Sequence, residues 1–250
     1  MSESQEIDYV SIILCHYTLA DDFGETRAQK QKETRSEMLQ TTMESLEENT
    51  TFPAEVIMID NGGTDGEYLL DLTKRGGINT YIRNKNNMHF GWAWNQGAKL
   101  ATSDWLCFTC NDIGFKAGWL EETLAPLVQF PKEKYIATPI ITPEKDNMKY
   151  NRGTLEGGYR LNTLAGSNCM LMHRSTYEDI GEFSTHAIAG THWHNKMHKM
   201  GYMMVATPEN KVDHLASKGG FNIYSHLEVR EELLTGKVID FTYESNGNRG

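Results

Sequence analysis

Asp60 stands where an apolar run ends and a glycine-rich turn begins, in the segment AEVIMIDNGGTDG (residues 54–66). Residues 56–59 read as a buried strand and residues 67–75 as a helix. Open α/β sheets bind ligands in the crevice beyond the carboxyl ends of their strands. A carboxylate there, beside flexible backbone, suits a nucleotide. The same carboxylate could instead cap the turn that follows it. The glycines do not form a dinucleotide fingerprint, because Thr64 stands where G-x-G-x-x-G would need a glycine. Two further clusters have chemical spacing. Cys107-x-x-Cys110 has the form of a redox or zinc pair, but no second pair accompanies it. His194 and His198 share a helix face at i, i+4, half of a zinc-protease motif, yet Asn195 stands where the catalytic Glu would be.

Alternating elements must position these residues. Residues 9–15 are β-branched and apolar, a buried strand, and residues 16–30 read as a loop. Residues 34–48 carry Met38, Leu39, Met43 and Leu46 at helical spacing. A short strand is expected at 79–83, a helix within 87–101 and a strand at 105–110. A helix at 118–130, stopped by Pro131, precedes a strand at 134–141. Residues 143–161 read as a loop or small hairpin. A strand at 168–173 leads to a helix capped by Ser175. A helix at 192–200 ends at Gly201. A strand at 203–206 precedes a connection, 208–220, that carries His214. A last helix is expected at 223–235, and the tail 244–250 is polar. Strands alternating with helices imply a mostly parallel sheet with helices on both faces. No repeat or linker divides the chain, so 1–250 reads as one domain.

The chain has 250 residues, enough for a sizeable core at 39% hydrophobic content. Its net charge of -10 argues against a broad nucleic-acid surface. No apolar run approaches the roughly 20 residues a membrane helix needs. Residues 1–8 are polar and acidic, unlike a secretory leader. The four cysteines, Cys15, Cys107, Cys110 and Cys169, read as buried free thiols of a cytoplasmic protein.

Five segments in order carry a resemblance. They are VSIIL (10–14), EVIMIDNGGTDG (55–66), NMHFGWAWNQG (87–97), DWLCFTCNDI (104–113) and GSNCMLMHR (166–174). Together they resemble family 2-type glycosyltransferases with the GT-A, Rossmann-like nucleotide-diphospho-sugar transferase fold. The resemblance implies a nucleotide-sugar-binding half at 8–112, an acceptor-side half at 113–222, and a C-terminal helix and tail. It implies that Asp60 accepts a hydrogen bond from the imide N–H of a uracil or thymine. Asn61, Gly62, Asn87, Gly91, Asn95 and Asn111 fall on the same donor-binding segments. It further implies a divalent cation, Mn or Mg, on Asp112 and His214, which would neutralise the departing diphosphate. The matching triplet is Cys110-Asn111-Asp112, so the first acidic position of the family's Asp-x-Asp-like motif is lost. Asp213 is a second candidate beside His214. The acidic pair ahead of the last family helix falls on Ala189 and Gly190, and the next family acid on His192. His192 is then the candidate base toward the acceptor.

Trp92, Trp94, Trp119 and Trp193 could stack on sugars or bases, or fill the core. Trp193, next to His192, is the one singled out for the site. Arg152 and Arg160 could pair with diphosphate or lie on the surface. The expected activity is metal-dependent, inverting transfer of a sugar from a pyrimidine-diphosphate sugar to an acceptor hydroxyl. A glycan is the leading acceptor, with protein or a DNA base as others. A degenerate nucleotide- or glycan-binding relative is an alternative. A nucleotidyltransferase is another, although no Gly-rich basic loop follows the first strand.

Overall fold

The computed structural model describes residues 7–17, 25–142, 151–162, 168–184 and 189–215. The expected helix at 223–235, the tail at 244–250, and Gly166 and Ser167 of the fifth segment lie outside them. In chain order the elements are β1 (Val10–His16), α1 (Glu25–Asn49), β2 (Ala54–Asp60), α2 (Gly66–Lys74), β3 (Thr80–Arg83), α3 (Phe90–Leu100), β4 (Trp105–Cys110) and β5 (Ile113–Phe115). There follow α4 (Trp119–Gln129), β6 (Tyr135–Thr142), β7 (Asn151–Thr154), β8 (Arg160–Asn162), β9 (Cys169–His173), α5 (Arg174–Ile180), α6 (Ala189–Lys199) and β10 (Met203–His214). Among the described residues ten strands form one sheet, ordered β3-β2-β1-β4-β9-β6-β10-β8-β7, with β5 added along β10.

The first four strands are parallel, as alternating strands and helices require. β6 and β10 are also parallel. β9 runs antiparallel between β4 and β6, and β5, β7 and β8 are antiparallel additions. The sheet is therefore mixed beyond β4. The parallel block changes direction at β1, with β2 on one side and β4 on the other. This switch point is where α/β sheets open a ligand crevice.

Two cores line the two faces, and the strand pleat sorts residues between them. Val10, Ile12 and Leu14 of β1 join Leu39, Met43 and Leu46 of α1, Leu69 and Leu72 of α2, and Leu120 and Leu124 of α4. Ile13 and Cys15 face the other way, toward Ala93 and Trp94 of α3, Tyr177 and Ile180 of α5, and Trp193 and Met197 of α6. Gly97 lets α3 lie close on β1: a Cβ there would stand 2.3 Å from Ile13 Cγ2.

Several boundaries move from their expected places. α1 begins at Glu25, not 34, because residues 25–33 are strong helix formers without an apolar stripe. His173, not Ser175, caps α5, its ring accepting from the Ser175 N–H. Residues 151–162 form the hairpin alternative, closed by a 3-10 turn at Glu156–Gly158. β10 runs on to His214 in place of a connection, bulging near Asn210 where it passes β6.

Candidate functional site

The carboxyl ends of β1, β2 and β4 place His16, Asp60 and Cys110 side by side, and the turns after β2 and β4 rise from that edge. Asp60 is fully buried. Its Oδ1 accepts from the Gly63 N–H at 2.7 Å, and its Oδ2 accepts from the Tyr81 hydroxyl at 2.9 Å. The capping role is thus realised. It does not exhaust the carboxylate, which offers about four lone-pair sites. Arg83 lies over the same group, with Nε 3.7 Å from Oδ2 and Nη2 donating to the Gly63 carbonyl at 2.8 Å. Burial, then the Asp60 charge and hydrogen bond, pushes the Tyr81 phenol up to about 12. Burial, then the Asp60 charge, likewise raises the Cys15 thiol to about 12. Both groups stay protonated beside the carboxylate at neutral pH.

Glycine is required where the turn folds back. Gly62 has φ +82, and a Cβ there would stand 3.1 Å from the Lys85 carbonyl. Asn61 holds the same approach: its backbone N–H donates to the His16 carbonyl at 2.8 Å and its amide to the His89 carbonyl at 3.2 Å. Its Oδ1 accepts from Asn84 at 2.9 Å. Asn87 Oδ1 accepts from the His89 N–H at 2.9 Å, and the Gly91 N–H donates to the His89 ring at 3.4 Å. His89 is the non-glycine residue with positive φ among the described residues (φ 70, ψ 156). That conformation costs roughly 1–3 kcal/mol and clusters at ligand clamps. Nothing in the residue type of His89 signals it beforehand.

Asn95 has a different surrounding from its neighbours on the motif. It is buried, its Oδ1 accepts from the Phe183 N–H and the Tyr177 hydroxyl, and its Nδ2 donates to the Phe183 carbonyl, each at 2.9 Å. The structure gives this amide to the packing of residue 183, not to the crevice.

Asp112 and His214, separated by 102 residues, meet at 3.1 Å between Oδ2 and Nε2. The short strand β5 brings them together. It pairs antiparallel with β10, so that Ile113 lies opposite His214, and Leu215 N–H donates to the Asp112 carbonyl at 2.8 Å. The outer edge of β5 is closed by α1. Thr42 and Ser45 hydroxyls accept from the Ile113 and Phe115 N–H groups at 3.1 Å each, and Asn49 donates to the Phe115 carbonyl at 3.2 Å. Asp112 Oδ1 is buried and has no hydrogen-bond partner. An orphaned carboxylate oxygen beside an imidazole fits a divalent cation, which Mg or Mn sites hold by one or two protein groups plus substrate phosphates. Among the described residues no three His, Cys, Asp or Glu side chains gather into a fuller metal cage. Asp213 points to the opposite face and pairs with Lys116 at 3.2 Å.

The other candidates sort by exposure. His192 is exposed in the first half of α6. Trp193, the aromatic singled out for the site, is instead core: 2% exposed, against Phe183, donating to the Gly181 carbonyl at 2.9 Å. Trp94 and Trp119 are also fully buried, while Trp92 is 42% exposed. Arg152 is exposed and Arg160 partly buried. Cys107 and Cys110 project to opposite faces of β4, which removes the redox or zinc pairing; all four cysteines are free. The residue that sequence reading missed is His16, placed in a loop but found buried at the switch point. Its only signal was a polar residue at the end of an apolar strand.

A sheet of this topology, with a carboxylate at the end of β2 and an Asp–His pair beyond β4, has the GT-A architecture. A family model for glycosyl transferase family 2 matches residues 32–189, more than half of the chain, and the protein belongs to that family. It is 29% identical over 141 residues to the putative polypeptide N-acetylgalactosaminyltransferase 13 of Drosophila melanogaster, covering 51% of this chain and 25% of that protein. It is 32% identical over 128 residues to polypeptide N-acetylgalactosaminyltransferase 8 of the same organism, covering 49% and 21%. The chain thus spans about a quarter of the length of these relatives. A crystal structure of GalNAc-T7 with UDP, GalNAc and Mn2+ superposes with a TM-score of 0.61 at 12% identity, over 84% of this chain and 44% of that one. That likeness establishes the shared fold. No helix among the described residues is long and apolar enough to cross a membrane.

Proposed function

We propose that the protein is a metal-dependent glycosyltransferase that takes its sugar from a uridine-diphosphate sugar. The observation that carries the proposal is the Asp112–His214 pair, with its orphaned buried oxygen, rising from the same sheet edge as Asp60. Asp60 accepts from the imide of the base, and Tyr81 and Arg83 hold that carboxylate in place. Asn61, Gly62, Asn87 and Gly91 shape the backbone around the nucleotide. Asn111 sits beside the diphosphate, and Asn95 supports the wall behind it.

Asp112 and His214 are the residues to hold Mn or Mg, which when bound would stabilise charge on the leaving diphosphate. The chain's own residues orient the donor and exclude water from the base end. His192, exposed in the first half of α6, is the candidate base that takes the proton of the acceptor hydroxyl as its oxygen bonds the anomeric carbon opposite the departing diphosphate, whose bond to that carbon breaks, an inverting displacement. Relatives named as polypeptide N-acetylgalactosaminyltransferases favour a protein hydroxyl beside the glycan as acceptor. The free thiols fit a reducing, cytoplasmic setting.

Release of UDP from a panel of UDP-sugars with Mn2+ tests the reading. Turnover by the native protein, abolished in Asp112→Asn, supports it. UDP binding without any turnover, with every acceptor class offered, supports the binding-only relative, a reading that the absence of acid at Ala189 and Gly190 favours.

A further inference from the structure

His16 occupies the centre of the crevice floor and belongs to none of the roles above. It is the last residue of β1 and fully buried, with β2 on one side and β4 on the other. Its Nδ1 accepts from the Asn111 side-chain amide at 2.8 Å. Its Nε2 lies 2.9 Å from Asp65 Oδ2. With Nδ1 accepting, Nε2 carries the proton and donates to the carboxylate. Asp65 Oδ1 accepts in turn from the Ser36 hydroxyl of α1 at 2.5 Å. One ring therefore bonds both the turn after β2, which begins at Asp60, and the turn after β4, which ends at Asp112.

Asp65 shows that the link prevails over a local preference. It occupies the N-cap position of α2, where an Asp side chain ordinarily satisfies an orphan N–H of the helix. Here it makes no cap hydrogen bond and turns to His16 and Ser36 instead. Such a cap is ordinarily stabilising. The structure sets that aside in favour of a buried, charge-assisted bond to an imidazole at the switch point.

We propose that His16 is a positioning residue of the donor site. Through Asp65 and Asn111 it fixes the distance between the carboxylate that meets the base and the carboxylate that faces the cation. This rests on the reading of the crevice as a UDP-sugar site. A donor bridging both turns binds best when the two are already in one frame, so the ring couples nucleotide binding to cation binding. Loss of the ring should leave each turn formed and the coupling weakened.

The test is calorimetric titration of UDP, with and without Mn2+, into the native protein and His16→Ala. The readout is the factor by which Mn2+ strengthens UDP binding, which a purely structural role would not change in folded protein. The expected result is a factor reduced about tenfold or more in His16→Ala, with UDP binding in the absence of cation little altered. If His16→Ala does not fold, His16→Gln carries the test, since it keeps a donor toward Asp65 and loses the ring acceptor for Asn111. An unchanged factor in a folded variant overturns the inference and leaves the donor-site reading standing. Failure of the native protein to bind UDP under either condition overturns both.

Discussion

At the residue scale, the Asp60 cluster and the Asp112–His214 pair carry the account. Asp112→Asn should lower UDP release by more than about 100-fold, or about 2.7 kcal/mol of barrier, with melting temperature little changed. Its orphaned oxygen makes no bond that the fold relies on. Tyr81 gives a pH dependence whose sign follows from its raised value. Its phenol stays protonated in the folded state up to about 12, above the ordinary value of 10. The stability it confers is full below pH 10 and is lost as pH rises toward 12. Tyr202, also raised to about 12 by burial and by its bond to Asp179, acts in the same direction. Chemical denaturation at pH 8, 10 and 11.5 should show a falling midpoint, and Tyr81→Phe should show a shallower fall. Asn95 separates support from contact. Asn95→Ala leaves the buried Phe183 N–H and carbonyl unpaired, so it should cost about 1–3 kcal/mol in stability. A nucleotide ligand would instead raise KM at unchanged stability. Its motif position was legible in the sequence, but its burial under residue 183 depends on a contact 88 residues away.

At the scale of elements, β5 decides whether Asp112 and His214 meet. Three residues long, it is too short for the alternation of Ile113 and Phe115 to mark a strand. It forms because β10 pairs one edge and α1 hydroxyls close the other. Thr42→Val keeps the side-chain volume and removes the bond to the Ile113 N–H. It should lower Mn2+ affinity as well as stability, the latter by about 1–3 kcal/mol; isothermal titration and thermal melts read the two separately. The tail of β10 was hidden for a related reason. Pro208, Glu209 and Asn210 break the apolar pattern, yet pairing with β6 resumes after the bulge and delivers His214 to Asp112. The strands β1, β2 and β4, by contrast, announce themselves as apolar runs because the pleat buries both faces. Close approach between elements is as demanding. Gly97→Ala drives a methyl into Ile13 and should destabilise the protein by about 1–3 kcal/mol, measured by thermal melt.

At the scale of the whole molecule, one architecture serves two halves of unequal legibility. The parallel block is readable from alternating strands, glycine turns and the Asp60 segment. The sheet beyond β4 is mixed, and its antiparallel strands come from pairings that no local pattern specifies. The same division holds for the site: Asp60, Asp112 and His214 were named from sequence, while His16 needed three strands in register before its ring had partners. The proposed function requires one crevice to hold the base at Asp60 and a cation at Asp112 and His214. The most direct measurement is an anomalous difference map from crystals grown with UDP and Mn2+. One manganese peak is expected between the Asp112 carboxylate and the His214 imidazole, with the uracil imide on Asp60. A manganese peak elsewhere, or UDP bound away from Asp60, would contradict it.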